Sequence, residues 1–185
     1  MCSSDLTIAS ALEDSRPVPG RLELVEAPLG KPSTVRVFVD YAHTPDALEK
    51  VCATLKELSD GRLIVVFGCG GDRDRTKRGP MAAAVARHAD AAFLTSDNPR
   101  TEDPEAILDE VEKGLVGTKL SSYRIVDRAE AIRSAILEAQ AGDTVLVAGK
   151  GHETYQVIKE SVIPFDDRLE ASRALAAKEA GWLHR

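Results

Sequence analysis

Five short apolar runs, separated by segments with helical spacing, constrain the fold of this chain more than any other feature. Most of the runs are rich in β-branched or aliphatic residues without polar alternation, a pattern typical of strands in a sheet that is covered on both faces. The strands predicted from these runs are Val35–Val39, Leu63–Phe67, Ala91–Thr95, Ser122–Val126 and Thr144–Ala148.

Helix-start signals stand between these runs. Three of them place a capping side chain ahead of a helical pattern: Thr44-Pro45, Asp103-Pro104, and Asp127 with Glu130 in a sequence that resembles a capping box. A weaker, alanine-rich helix is predicted over Arg78–His88, and Asp166 is expected to cap a last helix. The repeated β-α-β order predicts an α/β fold, namely a doubly wound, mostly parallel, Rossmann-like sheet with helices on both faces and right-handed crossovers.

The composition favours one globular domain and excludes several function classes. The chain has 185 residues, contains no membrane-length apolar run, and does not begin with a signal-peptide pattern. Its three cysteines lack paired or metal-type spacing, which suits a reducing compartment, so we expect a cytoplasmic location without membrane insertion. A net charge of −6 and few aromatic residues argue against a nucleic-acid partner.

Four polar clusters follow the predicted strands at their carboxyl ends: Asp40–His43, Gly68–Arg73, Thr95–Arg100 and Gly149–Glu153. Ligands of open α/β sheets bind at that edge, so we expect the clusters to converge into one pocket. In the third cluster, Arg100 offers a guanidinium fork that reads carboxylates, and Asn98 offers an amide that donates and accepts hydrogen bonds.

Each cluster taken singly also has a purely structural interpretation. Asp40 and His43 could satisfy backbone groups where a strand leads into a helix, Asn98-Pro99 could be only a turn, and the charged stretch Asp72–Arg75 could be a solvated loop.

Familiar catalytic and nucleotide-binding motifs are absent from the sequence. The glycine cluster Gly68–Arg73 lacks the third glycine of the dinucleotide fingerprint, and no phosphate-loop motif accompanies Lys150. His152-Glu153 has no second histidine four residues on, and Cys69 has no local signature of an activated thiol. These motifs therefore assign no catalytic residue and no metal ligand to the chain.

In order and spacing, the four clusters together resemble the Mur ligase family, and within it the members that add meso-diaminopimelate. Pro19–Glu23 resembles the entry into the family's C-terminal domain, and Asp166-Asp167-Arg168 its closing helix, so the likeness runs from about Val18 to Leu175. The resemblance implies that residues 18–185 form a C-terminal, amino-acid-binding domain and that residues 1–17 are a leader of uncertain origin. It also implies that the N-terminal and central domains of such an enzyme are not part of this chain.

For the complete enzyme, the resemblance implies ATP- and Mg²⁺-dependent amide-bond formation in peptidoglycan synthesis. ATP would phosphorylate the D-glutamate γ-carboxyl of UDP-MurNAc-L-Ala-D-Glu, and an amine of meso-diaminopimelate would attack the acyl phosphate. By likeness, the residues that hold diaminopimelate are Arg73, Asp97, Asn98, Pro99, Arg100, Gly149 and Glu153, and those that close over ATP are Arg21, Asp40 and His43. The chain alone is expected to hold neither ATP nor Mg²⁺ tightly.

Two other interpretations stay open at the level of sequence. A sister ligase that adds lysine, or a folylpolyglutamate synthetase, would share this fold, but Arg100 would have no role with a side chain that lacks a carboxylate. A nucleotide-binding module without catalytic function is the other alternative, although its glycine fingerprint is absent.

Overall fold

The structure, a computed structural model, describes residues 18–26 and 33–182. Its strands are β1 (Glu23–Leu24), β2 (Arg36–Asp40), β3 (Leu63–Cys69), β4 (Ala91–Ser96), β5 (Ser121–Arg124), β6 (Thr144–Ala148), β7 (Tyr155–Ile158) and β8 (Ser161–Pro164). Among the described residues, six strands form one sheet in the order β1-β2-β6-β3-β4-β5, in which β1 is antiparallel to β2 and the other neighbours are parallel. A separate antiparallel hairpin consists of β7 and β8.

Helices connect the parallel strands and cover both faces of the sheet. They are α1 (Pro45–Leu58), α2 (Arg78–Ala86), α3 (Pro104–Glu112), α4 (Arg128–Glu138) and α5 (Asp167–Trp182), with short 3₁₀ turns at Arg75–Lys77 and Lys113–Leu115. One apolar core lies between the sheet and α1, α2 and α3, and a second lies between the sheet and α4 and α5. The predicted α/β fold with a mostly parallel sheet is therefore confirmed.

The predicted elements agree with the observed ones to within two residues at each end, and β6 coincides with its prediction. The inner strands β3, β4 and β6 are buried along their whole length, as their unbroken apolar runs predict. In contrast, β5 forms the edge of the sheet and is largely exposed, so coverage on both faces does not extend to it. The two-residue strand β1 and the β7–β8 hairpin were not predicted, because they are short and mostly exposed.

The predicted caps begin the helices that position the site. Side-chain oxygens of Thr44, Asp103 and Asp127 accept hydrogen bonds from backbone N–H groups of the first turns of α1, α3 and α4. Only half of the capping box at Asp127 forms, because the carboxylate of Glu130 binds Arg133 instead of reaching back to the cap.

The N-terminal leader predicted over residues 1–17 lies outside the described residues. Within the part of the chain that the structure describes, no helix combines the length and the apolar character needed to cross a membrane.

Candidate functional site

The four polar clusters meet at the carboxyl edge of the sheet, around a cleft of about 330 Å³. Their meeting follows from the topology, because β2, β6, β3 and β4 are parallel neighbours and end at the same edge. Of the residues predicted to bind ligands, those that line the cleft are His43, Arg73, Asp97, Asn98, Arg100, Gly149 and Glu153. A larger depression of about 780 Å³ lies between the ends of α4 and α5 and contains none of the predicted site residues.

The side chain of Asn98 is fixed from both ends. Its Oδ1 accepts hydrogen bonds from the Val157 N–H at 2.9 Å and from the Lys150 ammonium at 3.0 Å. Its Nδ2 donates to Oε2 of Glu153 at 3.2 Å. Two donors at Oδ1 determine which way the amide points, so Asn98 presents its donor end to Glu153.

Arg100 adopts a left-handed backbone conformation, with φ at +52°, which is uncommon for a residue other than glycine. The β7–β8 hairpin supports this conformation, since the Arg100 N–H donates to the Val157 carbonyl at 3.1 Å and its carbonyl accepts from Lys159 at 2.7 Å. Nη1 of its guanidinium donates to the Gly71 carbonyl at 2.8 Å. The hairpin, which the sequence did not predict, thus holds the loop that follows β4.

The loops after β3 and β4 are tied together. Both carboxylate oxygens of Asp72 accept hydrogen bonds from Thr101, at 3.1 Å from the backbone and 2.8 Å from the hydroxyl. Pro99 does not line the cleft, but its carbonyl lies so close to Gly71 that a Cβ at Gly71 would be 1.9 Å from the oxygen. Arg73 lies in the loop after β3, which these contacts tie to the loop after β4. Its side chain is exposed, and its guanidinium donates to the Asp72 carbonyl.

The residues predicted to close over ATP lie beside the cleft, around Tyr41. The Arg21 guanidinium lies 4.7 Å from the centre of the Tyr41 ring, and His43 Nδ1 lies 2.7 Å from the Tyr41 carbonyl oxygen. Arg21 and Asp40 themselves do not line the cleft. Asp40 accepts from the N–H groups of Leu22 at 2.8 Å and Ala42 at 2.7 Å, so it has the structural role considered for it from sequence and fixes the loop that carries Arg21.

A fully buried ion pair beneath the cleft was not predicted. Arg128, the first residue of α4, binds Asp167, the first residue of α5, through Nε at 2.8 Å and Nη2 at 2.7 Å, and both side chains are 0% exposed. Burial acts to lower the pKa of Arg128, but the charge and hydrogen bonds of Asp167, together with the charges of Asp97 and Glu153, raise it above its usual value. Nη2 of Arg128 also donates to the Ala148 carbonyl at the end of β6. The acidic run at Asp166-Asp167 was the only sequence signal for this pair.

Cys69 also lines the cleft, where its side chain is buried. Burial raises the pKa of its thiol to about 12, so the thiolate is scarce at neutral pH. Its Sγ contacts the sulfur of Met81 at 3.6 Å inside the apolar core.

The charged groups that line the cleft have both signs. Arg73, Lys77 and Arg100 supply cationic groups, whereas Asp97 and Glu153 supply carboxylates. A cleft with this lining can bind a small zwitterion, because carboxylates and ammonium groups of a ligand both find opposite charges there. The fold and the cleft therefore define an α/β domain with a cleft of mixed charge at the carboxyl edge of a parallel sheet.

Comparison with known proteins assigns the family. Residues 20–151 match the profile described as "Mur ligase, glutamate ligase domain". The chain is 53% identical over 172 residues, 93% of its length, to the UDP-N-acetylmuramoyl-L-alanyl-D-glutamate–2,6-diaminopimelate ligase of a Nostoc species. It is also 53% identical, over 91% of its length, to the protein of the same name from Geobacillus thermodenitrificans. The chain belongs to the Mur ligase family.

A solved structure supports the same assignment. A structure of UDP-N-acetylmuramoyl-L-alanyl-D-glutamate–2,6-diaminopimelate ligase is 44% identical, with a TM-score of 0.79, and the match covers 92% of this chain and 34% of that one. The two curated relatives are matched over 34% of their own length. The chain thus spans about a third of the length of the proteins it matches.

Proposed function

We propose that this chain is the amino-acid-binding part of an ATP-dependent ligase that joins meso-diaminopimelate to UDP-MurNAc-L-Ala-D-Glu in peptidoglycan synthesis. One observation carries the proposal: two guanidinium groups and a hydrogen-bonded glutamate surround a single cleft. Diaminopimelate has two carboxylates and two ammonium groups, so its charges complement this lining. The name shared by the two relatives that are 53% identical refers to the same amino acid.

Each predicted residue receives a role from its chemistry. Arg73 and Arg100 would bind carboxylates, since a guanidinium offers paired donors to both carboxylate oxygens. Glu153 and the Gly149 carbonyl would accept from the ammonium group at the distal centre of diaminopimelate. Asp97, Asn98 and Pro99 would shape the loop between these groups, with Asn98 also in reach of the ligand.

The site would contribute to catalysis by orientation. The attacking amine of diaminopimelate must approach an acyl phosphate formed on another part of the complete enzyme, and holding an amine in reach of its electrophile removes a large entropic cost. We assign no proton transfer or covalent step to a residue of this chain.

ATP would be contacted from the side of Tyr41. A guanidinium from Arg21 and the imidazole of His43 adjoin that ring, and these groups suit the phosphates and the base of a nucleotide; the remaining acceptor capacity of Asp40 suits ribose hydroxyls. The described residues offer no comparable set of ligands for Mg²⁺. In residues 18–26 and 33–182, no three His, Cys, Asp or Glu side chains are grouped so that they could hold a metal ion. We therefore attribute Mg²⁺ and the phosphate cradle to the other domains of the complete enzyme.

The buried thiols bear on the cellular compartment. Cys52 and Cys69 are both buried and free, an arrangement that suits a reducing environment. We accordingly propose the cytoplasm as the compartment in which the enzyme works.

A calorimetric titration of the chain with meso-diaminopimelate and with L-lysine tests the proposal. The two ligands differ by the carboxylate at the distal carbon, so the wild-type chain should prefer diaminopimelate. Loss of one partner of a desolvated charged pair costs roughly 2–5 kcal/mol, which corresponds to about 30-fold to several-thousand-fold in affinity. Arg100→Ala should remove most of this preference, and Arg100→Lys should not restore it, because an ammonium group lacks the planar fork.

Arg173→Ala provides the matched control, because Arg173 is an exposed arginine on α5 that pairs with Glu170 away from the cleft. It should bind both ligands as the wild type does. Equal affinity of the wild type for lysine and diaminopimelate would refute the proposal, and so would an unchanged preference in Arg100→Ala.

A further inference from the structure

Lys150 is a buried cation in the centre of the site. It lies two residues after the end of β6, its side chain is 0% exposed, and it does not line the cleft. Its ammonium group contacts three side chains proposed to hold the substrate: Oδ1 of Asp97 at 3.2 Å, Oδ1 of Asn98 at 3.0 Å and Oε2 of Glu153 at 3.4 Å. Lys150 therefore touches the substrate-binding side chains without being placed to touch the substrate.

A buried ammonium group is costly unless its charge is compensated and its donors are used. Lys150 meets both conditions, since Asp97 and Glu153 each supply a carboxylate and Asn98 supplies an amide oxygen. The same contacts also stabilise the carboxylates of Asp97 and Glu153, because the ammonium group offsets the repulsion between their two negative charges.

The consequence for Glu153 is specific to one of its oxygens. Oε2 receives hydrogen bonds from Lys150 at 3.4 Å and from Asn98 at 3.2 Å. Within the described residues, Oε1 receives no hydrogen bond, and Glu153 lines the cleft. One oxygen is thus held by the protein, while the other remains available to accept from a ligand.

Lys150 also orients Asn98. Its donation to Oδ1 reinforces the bond from Val157, so that Nδ2 of Asn98 points to Glu153. Glu153 is held a second time through the backbone, where its N–H donates to the Lys150 carbonyl at 2.9 Å. These contacts make the orientation of Glu153 depend directly on Lys150.

We propose that Lys150 is a positioning residue that sets selectivity for the distal ammonium group of the amino-acid substrate, by holding Glu153 through Oε2 and leaving Oε1 to the ligand. The inference rests on the proposed function of this cleft and extends it to a residue that the substrate does not contact. Lys150 acts through Glu153 and Asn98 and takes no part in bond formation.

A comparison of two ligands separates positioning from a purely structural role. L-2-Aminopimelate retains both carboxylates of diaminopimelate and lacks the distal ammonium group. The affinities of the chain for both ligands are measured by calorimetric titration in wild type, Lys150→Met, Glu153→Gln and the double variant. Because the contact with a charged acceptor is selective for the ammonium, we expect the wild type to prefer diaminopimelate by on the order of tenfold to a hundredfold.

Lys150→Met should reduce this preference to within about threefold of unity, and so should Glu153→Gln. The double variant should show no further loss of preference, because both substitutions abolish the same interaction with the ligand ammonium. Lys119→Met, at an exposed lysine, is the matched control and should retain the wild-type preference. If Lys150→Met does not fold, as judged by circular dichroism, Lys150→Gln replaces it, because glutamine retains a donor for Asn98 and removes the charge.

Three results would contradict these expectations, in distinguishable ways. If Lys150→Met weakens the binding of both ligands by the same factor, Lys150 has only a structural role and the inference is overturned. Unchanged affinities for both ligands, or an increased preference for diaminopimelate, overturn it as well. If the wild type binds neither ligand, the proposed function of the cleft fails, and the inference fails with it.

Discussion

The buried pair of Arg128 and Asp167 allows a quantitative test of how the site is held in place. Arg128→Met keeps an unbranched side chain of similar length but removes the guanidinium. The substitution would leave the Asp167 carboxylate buried without its partner, and the Ala148 carbonyl without the donor at 3.0 Å. Since β6 ends at Ala148, the damage would lie directly beneath Gly149 and Lys150.

The expected cost follows from the burial of both side chains, which are 0% exposed. Breaking a buried ion pair by removing one partner costs about 3–5 kcal/mol, a large share of the roughly 5–15 kcal/mol by which a typical domain is stable. For a chain of this size, each 1 kcal/mol lowers Tm by roughly 2–4 °C, so Arg128→Met should lower it by about 6–20 °C.

Urea unfolding followed by circular dichroism measures this cost. Arg128→Met/Asp167→Leu replaces the pair with apolar side chains and should recover about 2 kcal/mol or more relative to the sum of the single variants, because no charge stays buried. Arg133→Met, at an exposed arginine on the same helix, should leave the unfolding midpoint nearly unchanged. A cost below about 1 kcal/mol for Arg128→Met, or additive single and double variants, would refute the reasoning.

Three further outcomes are expected. Gly71→Ala should abolish the binding of diaminopimelate in calorimetry, because the new Cβ would lie 1.9 Å from a carbonyl oxygen of the neighbouring loop. Gly181→Ala, which has open space around its Cβ, should bind normally. Retained binding by Gly71→Ala would show that the contact between the two loops is not needed for binding. A hydrogen bond from Arg75, aided by Arg78, lowers the pKa of Glu110 from 4.5 to about 2. This carboxylate therefore stabilises the fold fully above about pH 4.5 and progressively less as the pH falls towards 2. The urea midpoint of Glu110→Gln should fall less steeply with decreasing pH than that of the wild type, and equal slopes would exclude this contribution. Finally, the chain incubated with ATP, Mg²⁺, the dipeptide nucleotide and diaminopimelate should release no phosphate in a colorimetric assay, because its sequence has no phosphate-loop motif. Sustained release of phosphate would contradict the assignment of ATP hydrolysis to other domains.

Much of the fold could be predicted because local chemistry agrees with the tertiary structure in most elements. The apolar runs at β3, β4 and β6 have one stable position, in the interior of a parallel sheet, and the caps at Thr44 and Asp103 begin helices whichever way those helices pack. The β7–β8 hairpin escaped prediction because its residues are mostly exposed, so burial leaves no clear pattern in its sequence.

Sequence patterns predict the five strands β2 to β6, the five helices, and the edge of the sheet at which the four polar clusters gather. Tertiary structure alone decided how those residues are held. Lys150 lies 52 positions from Asn98 and Arg128 lies 39 from Asp167, yet each pair is in hydrogen-bond contact. A local pattern cannot reveal such partners, because a buried charge is stabilised by whichever opposite charge the folded chain brings within reach, and that choice depends on packing rather than on neighbouring residues.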